Sequence, residues 1–245
     1  MSQIVIDGIL TNYEIFGNKK ETLLILPGWM RGISEWFPTA RSLSSKYKVI
    51  LLDLPGFGST GLPKEIFGVF EYTDFVKKFL EKLRIEKCSI LGHSFGGRLA
   101  IVLASEDKIV DKLILVDSAG IENKSLYALL MRLVKTITRP VFRVLPSSFQ
   151  NKIRNTIGSP DYKESGELRK IFVKVVNQDL RLLLPKITAK TFIIWGDKDH
   201  LQPVLQTKIF KQEIKDSKVR IVWGAAHDPH LQKPEQFLAI LNDIL

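Results

Sequence analysis

The chain has 245 residues, 45% of them hydrophobic and 25% charged, with a formal net charge of +10 and one cysteine, Cys88. That length suits one large α/β domain or two small ones with a sizeable core, and a lone cysteine excludes an intramolecular disulfide. The opening MSQIVIDGIL carries no basic segment followed by a long apolar run, and no stretch approaches the ~18 uncharged apolar residues of a membrane span, so the sequence predicts a cytoplasmic protein.

Short apolar runs alternate with longer amphipathic stretches, the pattern of an α/β fold with a mostly parallel sheet. Eight strands are predicted: Ile4–Ile6, Asn12–Phe16, Thr22–Leu26, Lys48–Asp53, Cys88–Gly92, Lys112–Asp117, Thr191–Trp195 and Val219–Val222. The first two, divided by Asp7-Gly8, form an antiparallel opening hairpin. Helices are expected over Ser34–Ser45, Glu71–Leu83, Phe95–Ser105, Leu205–Ile214 and Pro234–Leu245. About seventy residues separate the sixth strand from the seventh, punctuated by Pro140, Pro146, Pro160 and Pro185. A crossover needs one helix, so residues 120–186 are an inserted helical segment between two halves of a core, 1–119 and 187–245.

The strongest chemical signal is Gly92-His93-Ser94-Phe95-Gly96, followed by Gly97. A buried strand, CSILG, runs into it and a helix, FGGRLAIVLAS, runs out. This is the setting of a G-x-S-x-G elbow, a sharp strand-to-helix turn that exposes a strained serine beside free helix N–H groups. Small residues two before and two after Ser94 let strand and helix approach closely.

With these motifs the chain resembles the α/β-hydrolase superfamily nearly end to end. The fold this implies is an eight-stranded, mostly parallel sheet flanked by helices, with a helical cap inserted after the sixth strand at 120–186. The resemblance implies Ser94 as nucleophile. It implies an acid after a late strand, where FIIWGDKDHLQP supplies Asp199, and a histidine after the last strand, where VRIVWGAAHDPHLQKPEQF supplies His227. Imidazole near its ordinary pKa suits a general base, and a carboxylate on its far nitrogen fixes the tautomer. Asp117, at the end of the sixth strand, competes for the role of acid, because some members take theirs from there. His93, His200 and His230 are read as structural, His93 as a packing or support residue, and Asp53 in LLDLPGFG as loop scaffolding. Family practice places the oxyanion donors at the backbone N–H groups of Phe95 and of Trp29, in LLILPGWMRG. Pro27 stands where members usually carry a loop-bracing histidine. The Trp29 and Phe95 side chains are expected to wall the substrate pocket.

The insertion holds thirteen basic and five acidic residues, +8 of the total +10. Arg132, Lys135, Arg139 and Arg143 form a basic stripe beside Leu126, Leu129, Leu130, Leu133, Ile137 and Val141 at helical spacing. One reading is a solvated cap face. The other is recruitment of an anionic partner, an acidic acyl carrier protein or an anionic membrane surface. The DLPGFG string, the loop before Trp29 and the basic cap are similar to the pimeloyl-carrier-protein methyl ester esterase branch. No motif supports nucleic-acid binding, and none implies a metal or an organic cofactor.

The expectation is a serine hydrolase cleaving carboxylic esters through an acyl-enzyme. Lactone hydrolysis, C–C bond hydrolysis and acyl transfer use the same three side chains and stay open. So does a non-catalytic ligand receptor of the same fold. Relatives with an aspartate nucleophile are disfavoured by the serine at 94.

Overall fold

A computed structural model describes residues 2–106, 108–121 and 160–245. All eight predicted strands form: β1 Ser2–Ile6, β2 Ile9–Phe16, β3 Thr22–Leu26, β4 Lys48–Leu52, β5 Cys88–His93, β6 Val110–Val116, β7 Lys190–Gly196 and β8 Ser217–Val222. They make one sheet in the order β1-β2-β4-β3-β5-β6-β7-β8. β2 runs antiparallel to β1 and β4, and every other pairing is parallel. The opening hairpin turns at Asp7 and Gly8, both at positive φ (48° and 76°), as a two-residue hairpin of the twist-matched kind requires.

The helices are α1 Phe37–Leu43, α2 Val69–Lys82, α3 Phe95–Glu106, α4 Pro160–Glu164, α5 Arg169–Val176, α6 Gln206–Glu213, α7 Pro229–Gln232 and α8 Pro234–Ile244. The expected helix Ser34–Ser45 is instead a 3-10 turn, Ile33–Trp36, followed by α1. Pro38, in the first turn of α1, has no N–H to donate back into a preceding α turn. α2 starts two residues before its expected boundary. The Glu71 side chain reaches back to the Gly68 N–H (2.7 Å), and the Val69 N–H finds Gln178 (2.7 Å), so two orphan donors of the first turn are satisfied. Within the insertion, residues 160–186 hold α4, α5 and two 3-10 turns, Gly166–Leu168 and Arg181–Lys186.

β3 reads TLLIL, and every residue is buried. Its successive side chains serve opposite faces: Leu24 and Leu26 join the core under α2 and α3, while Leu23 and Ile25 join that under α1 and α8. That is why central parallel strands such as β3 read as continuous apolar runs rather than alternating. α2 buries Tyr72, Phe75, Val76 and Phe79 on one face, each worth about 1.5–3 kcal/mol relative to exposure. The sequence order reverses between β3 and β5, and the loops after these strands' C-terminal ends are where open α/β sheets place their sites. Among the described residues no helix is long and apolar enough to cross a membrane.

Candidate active site

β5 ends at His93 and α3 begins at Phe95, leaving Ser94 alone on the turn at φ 49°. For a residue with a Cβ this left-handed conformation is costly, and the surroundings hold it in place. The Ser94 N–H donates to Val116 O (3.0 Å), and its carbonyl accepts from Gly97 and Ala119 (both 3.1 Å). The flanking glycines are steric necessities. A Cβ on Gly92 would lie 2.5 Å from Gly96 O, one on Gly96 2.1 Å from Leu26 O, and one on Gly97 2.1 Å from Ser118 Oγ.

The other predicted residues converge on this serine. His227, in the loop after β8, has Nε2 2.9 Å from Ser94 Oγ, and its Nδ1 is 2.8 Å from Asp199 Oδ2. Asp199 lies in the loop after β7. Its other oxygen accepts the N–H groups of Leu201 (2.8 Å) and Gln202 (2.9 Å), so the carboxylate is fixed at both ends. Burial pushes the Asp199 carboxyl up, but the hydrogen bond and charge of His227, with the Gln202 N–H, outweigh it and hold the pKa below the usual value. An ionised Asp199 requires the proton on Nδ1 of His227, which leaves Nε2 to accept from the serine hydroxyl.

Asp117 is present but differently occupied. It is fully buried at φ 41°, and its Oδ1 accepts the Gly196 N–H (2.9 Å). Burial, with the Asp199 charge adding to it, pushes its carboxyl up to about 10. Asp117 is therefore a neutral acid within 4.8 Å of the Asp199–His227 pair. His93 is buried beneath His227, and His230 stacks on Trp36 (3.9 Å, 6°). Asp53 accepts from Asn12, Ile33 and Ser59, bracing the loops after β3 and β4. His200 is exposed beside Asp199.

The loop after β3 is tied to the elbow by the Gly96 N–H, which donates to Pro27 O (3.0 Å). Pro27 thus keeps the loop in place through its carbonyl. Neither the Trp29 N–H nor the Phe95 N–H donates to a described residue. A cavity of about 70 Å³ opens over Ser94, lined by Gly28, Trp29, Arg31, Asp161, Leu201, His227 and Asp228 among others. A larger one, about 360 Å³, shares Trp29, Arg31 and Asp161 with it and adds Glu35 and Glu164. Trp29 lines both. Phe95 does not: its ring packs edge-on against Trp29 (5.2 Å), Phe57 (5.6 Å) and Tyr72 (5.1 Å), inside the core. The first turn of α3 directs that side chain away from the mouth, a direction a pentapeptide motif does not encode.

Arg31, Asp161, Leu201 and Asp228 were not foreseen as lining residues. Three lie close to predicted positions, Arg31 two after Trp29, Leu201 two after Asp199 and Asp228 next to His227. Asp161 comes from the insertion and carried no signal. The basic stripe at Arg132, Lys135, Arg139 and Arg143 lies outside the described residues.

A family profile described as the alpha/beta hydrolase fold matches residues 21–136. A pimeloyl-[acyl-carrier protein] methyl ester esterase of Nitrosospira multiformis is 29% identical over 89% of this chain and 91% of its own length. A protein of the same name from Legionella pneumophila is 26% identical, over 91% and 94%. Among solved structures, a bacterial membrane phospholipase A superposes with a TM-score of 0.81 at 25% identity, covering 99% of this chain and 84% of that one. An enol-lactonase from Burkholderia xenovorans gives 0.76 at 18% identity, covering 99% and 98%.

Proposed function

We propose that this chain, a member of the α/β-hydrolase superfamily, hydrolyses carboxylic esters through an acyl-enzyme on Ser94. One observation carries the reading: the continuous hydrogen-bonded chain Ser94 Oγ–His227 Nε2 (2.9 Å) and His227 Nδ1–Asp199 Oδ2 (2.8 Å), set on a strained elbow. The relatives named as esterases agree with it.

Ser94 Oγ attacks the ester carbonyl while His227 Nε2 takes its proton. Asp199 holds the imidazole in the required tautomer and stabilises the imidazolium. The Trp29 and Phe95 N–H groups, which have no described acceptor of their own, receive the oxyanion of the tetrahedral intermediate. His227 then returns the proton to the leaving alcohol and activates the water that frees the acid. Asp117, neutral and bound to Gly196, takes no proton in this scheme.

Residues 120–186 act as a cap. Two contacts support this: Asp161 lines the cavity over Ser94, and Trp29 Nε1 donates to Ser165 Oγ (3.1 Å). The partner favoured for the basic cap is an acidic acyl carrier protein bearing the ester, in line with the names of the two relatives.

The test is a panel of p-nitrophenyl esters of graded acyl length, with lactones, against wild type and Ser94→Ala. A serine-reactive fluorophosphonate should label Ser94. Equal turnover by Ser94→Ala, or labelling elsewhere, would overturn the proposal.

A further inference from the structure

The loop that carries His227 runs from the end of β8 at Val222 to α7 at Pro229 and is held at several points. Upstream it is pinned by Lys198 N–H to Ala225 O (2.9 Å) and by Ala226 N–H to the Gln232 side chain (2.6 Å). The carbonyl of His227 itself is met by His93 Nε2 at 2.8 Å. His93 is the last residue of β5 and the immediate neighbour of Ser94. One side chain therefore joins the backbone of the proposed base to the backbone of the proposed nucleophile.

We propose that His93 is a positioning residue, its Nε2–H donated to the His227 carbonyl so that the His227 imidazole stays within reach of Ser94. The proposal rests on the reading of Ser94 and His227 given above and adds to it the group that sets their separation.

Three observations support it. First, a carbonyl oxygen only accepts, so the 2.8 Å contact is a hydrogen bond with the proton on Nε2, and among the described residues Nδ1 has no partner that would hold a proton there. Second, the ring has nowhere to swing. It is 1% exposed and packed among Trp36, His227 and His230, with ring centroids at 5.9, 5.1 and 5.1 Å. Across from it lies Gly28, where even a Cβ would come within 3.1 Å of Nδ1, so the loop after β3 packs tightly on the ring. Third, the ring stays neutral: burial first, then the nearby His227, hold its pKa down to about 4. A neutral donor results at pH values above that. Misplacing a reacting pair by about 1 Å costs on the order of a hundredfold in rate, so one such bond matters to turnover far more than to folding.

The test separates hydrogen bonding from packing. His93→Phe keeps a ring and removes the donor. His93→Gln keeps an amide N–H near the position of Nε2. The expected result for His93→Phe is a kcat lower by roughly tenfold to a hundredfold, with KM within about twofold of wild type. The fluorophosphonate labelling rate of Ser94 should fall in parallel. His93→Gln should recover most of the loss. Equal impairment of both variants, or a wild-type kcat in His93→Phe, overturns the proposal. Should either variant fail to fold, the wild-type protein still decides. Long-range proton–nitrogen NMR of labelled histidines reads the tautomer directly, and a proton on Nδ1 of His93 rules the bond out. Absence of labelling in wild type would instead refute the ester-hydrolase reading, a distinct outcome.

Discussion

At the scale of single residues, Ser94, His227 and Asp199 are joined by two hydrogen bonds, and the proposed joint action of the three has a kinetic signature. Ser94→Ala and His227→Ala should each lower kcat by roughly 10⁴- to 10⁶-fold, and the double variant should lose little more than either. Losses that multiply would mean that the two side chains act independently. The two aspartates should separate sharply. Asp199→Asn puts an amide where a carboxylate faces Nδ1 (2.8 Å) and should cost about 10⁴ in kcat, since it favours the wrong tautomer. Asp117→Asn retains an oxygen for the Gly196 N–H and replaces a group that is already neutral, so kcat should stay within about tenfold of wild type. Its effect lies in stability. The folded Asp117 keeps its proton up to about 10, against an ordinary value of 3.8. Between these values the unfolded chain binds fewer protons, so the stabilising effect is full at low pH and fades as pH rises. The amide of the variant has no such proton to lose. The urea midpoint of Asp117→Asn, relative to wild type, should therefore be higher at pH 8 than at pH 5. An unchanged difference would mean that Asp117 is ionised in the folded protein.

At the scale of elements, the elbow is a packing problem solved by glycine, and two substitutions show where it is rigid. Gly96→Ala would set a Cβ 2.1 Å from Leu26 O and 2.7 Å from Pro27 O. Both are backbone atoms of the neighbouring strand and loop, so neither can yield alone. A loss of about 2 kcal/mol or more in urea denaturation is expected, together with loss of turnover as Ser94 shifts. Gly8→Ala, in the opening hairpin, meets nothing within 4 Å and only pays for φ +76°; about 1 kcal/mol is expected, with kcat unchanged. These elements were legible in the sequence because buried parallel strands such as TLLIL and CSILG are apolar runs between turn signals. The elbow was legible because its glycines are demanded by the approach of backbone to backbone. What escaped had no periodic signature. α7 is a single turn led by Pro229, the segment before α1 is a 3-10 turn, and the Phe95 ring turns into the core. Asp161 reaches the cavity from the insertion, a contact set by tertiary packing alone.

At the scale of the whole molecule, charge is distributed more unevenly than chemistry requires. The segment 120–186 carries +8 of the +10, while its described part brings Asp161 and Glu164 to the cavities beside Ser94. Among the described lining residues, Glu35, Asp161, Glu164 and Asp228 therefore outnumber the one Arg or Lys, Arg31. In the proposed function, the sequence stripe Arg132, Lys135, Arg139 and Arg143 serves encounter with an acidic acyl carrier protein. Attraction of this kind raises the association rate and is screened by salt, with a Debye length of about 8 Å at physiological ionic strength. Replacing all four residues by glutamine should leave kcat on a small neutral ester unchanged. With an ester borne on an acidic carrier protein, kcat/KM should fall and its dependence on salt should flatten, the loss appearing in KM. Carrier binding equal to wild type would reduce the stripe to a solvated face. Binding to anionic vesicles that falls while carrier kinetics hold would transfer the stripe to a membrane surface. Lost turnover on the small ester would mean that these side chains shape the pocket and that the cap selects substrate by contact.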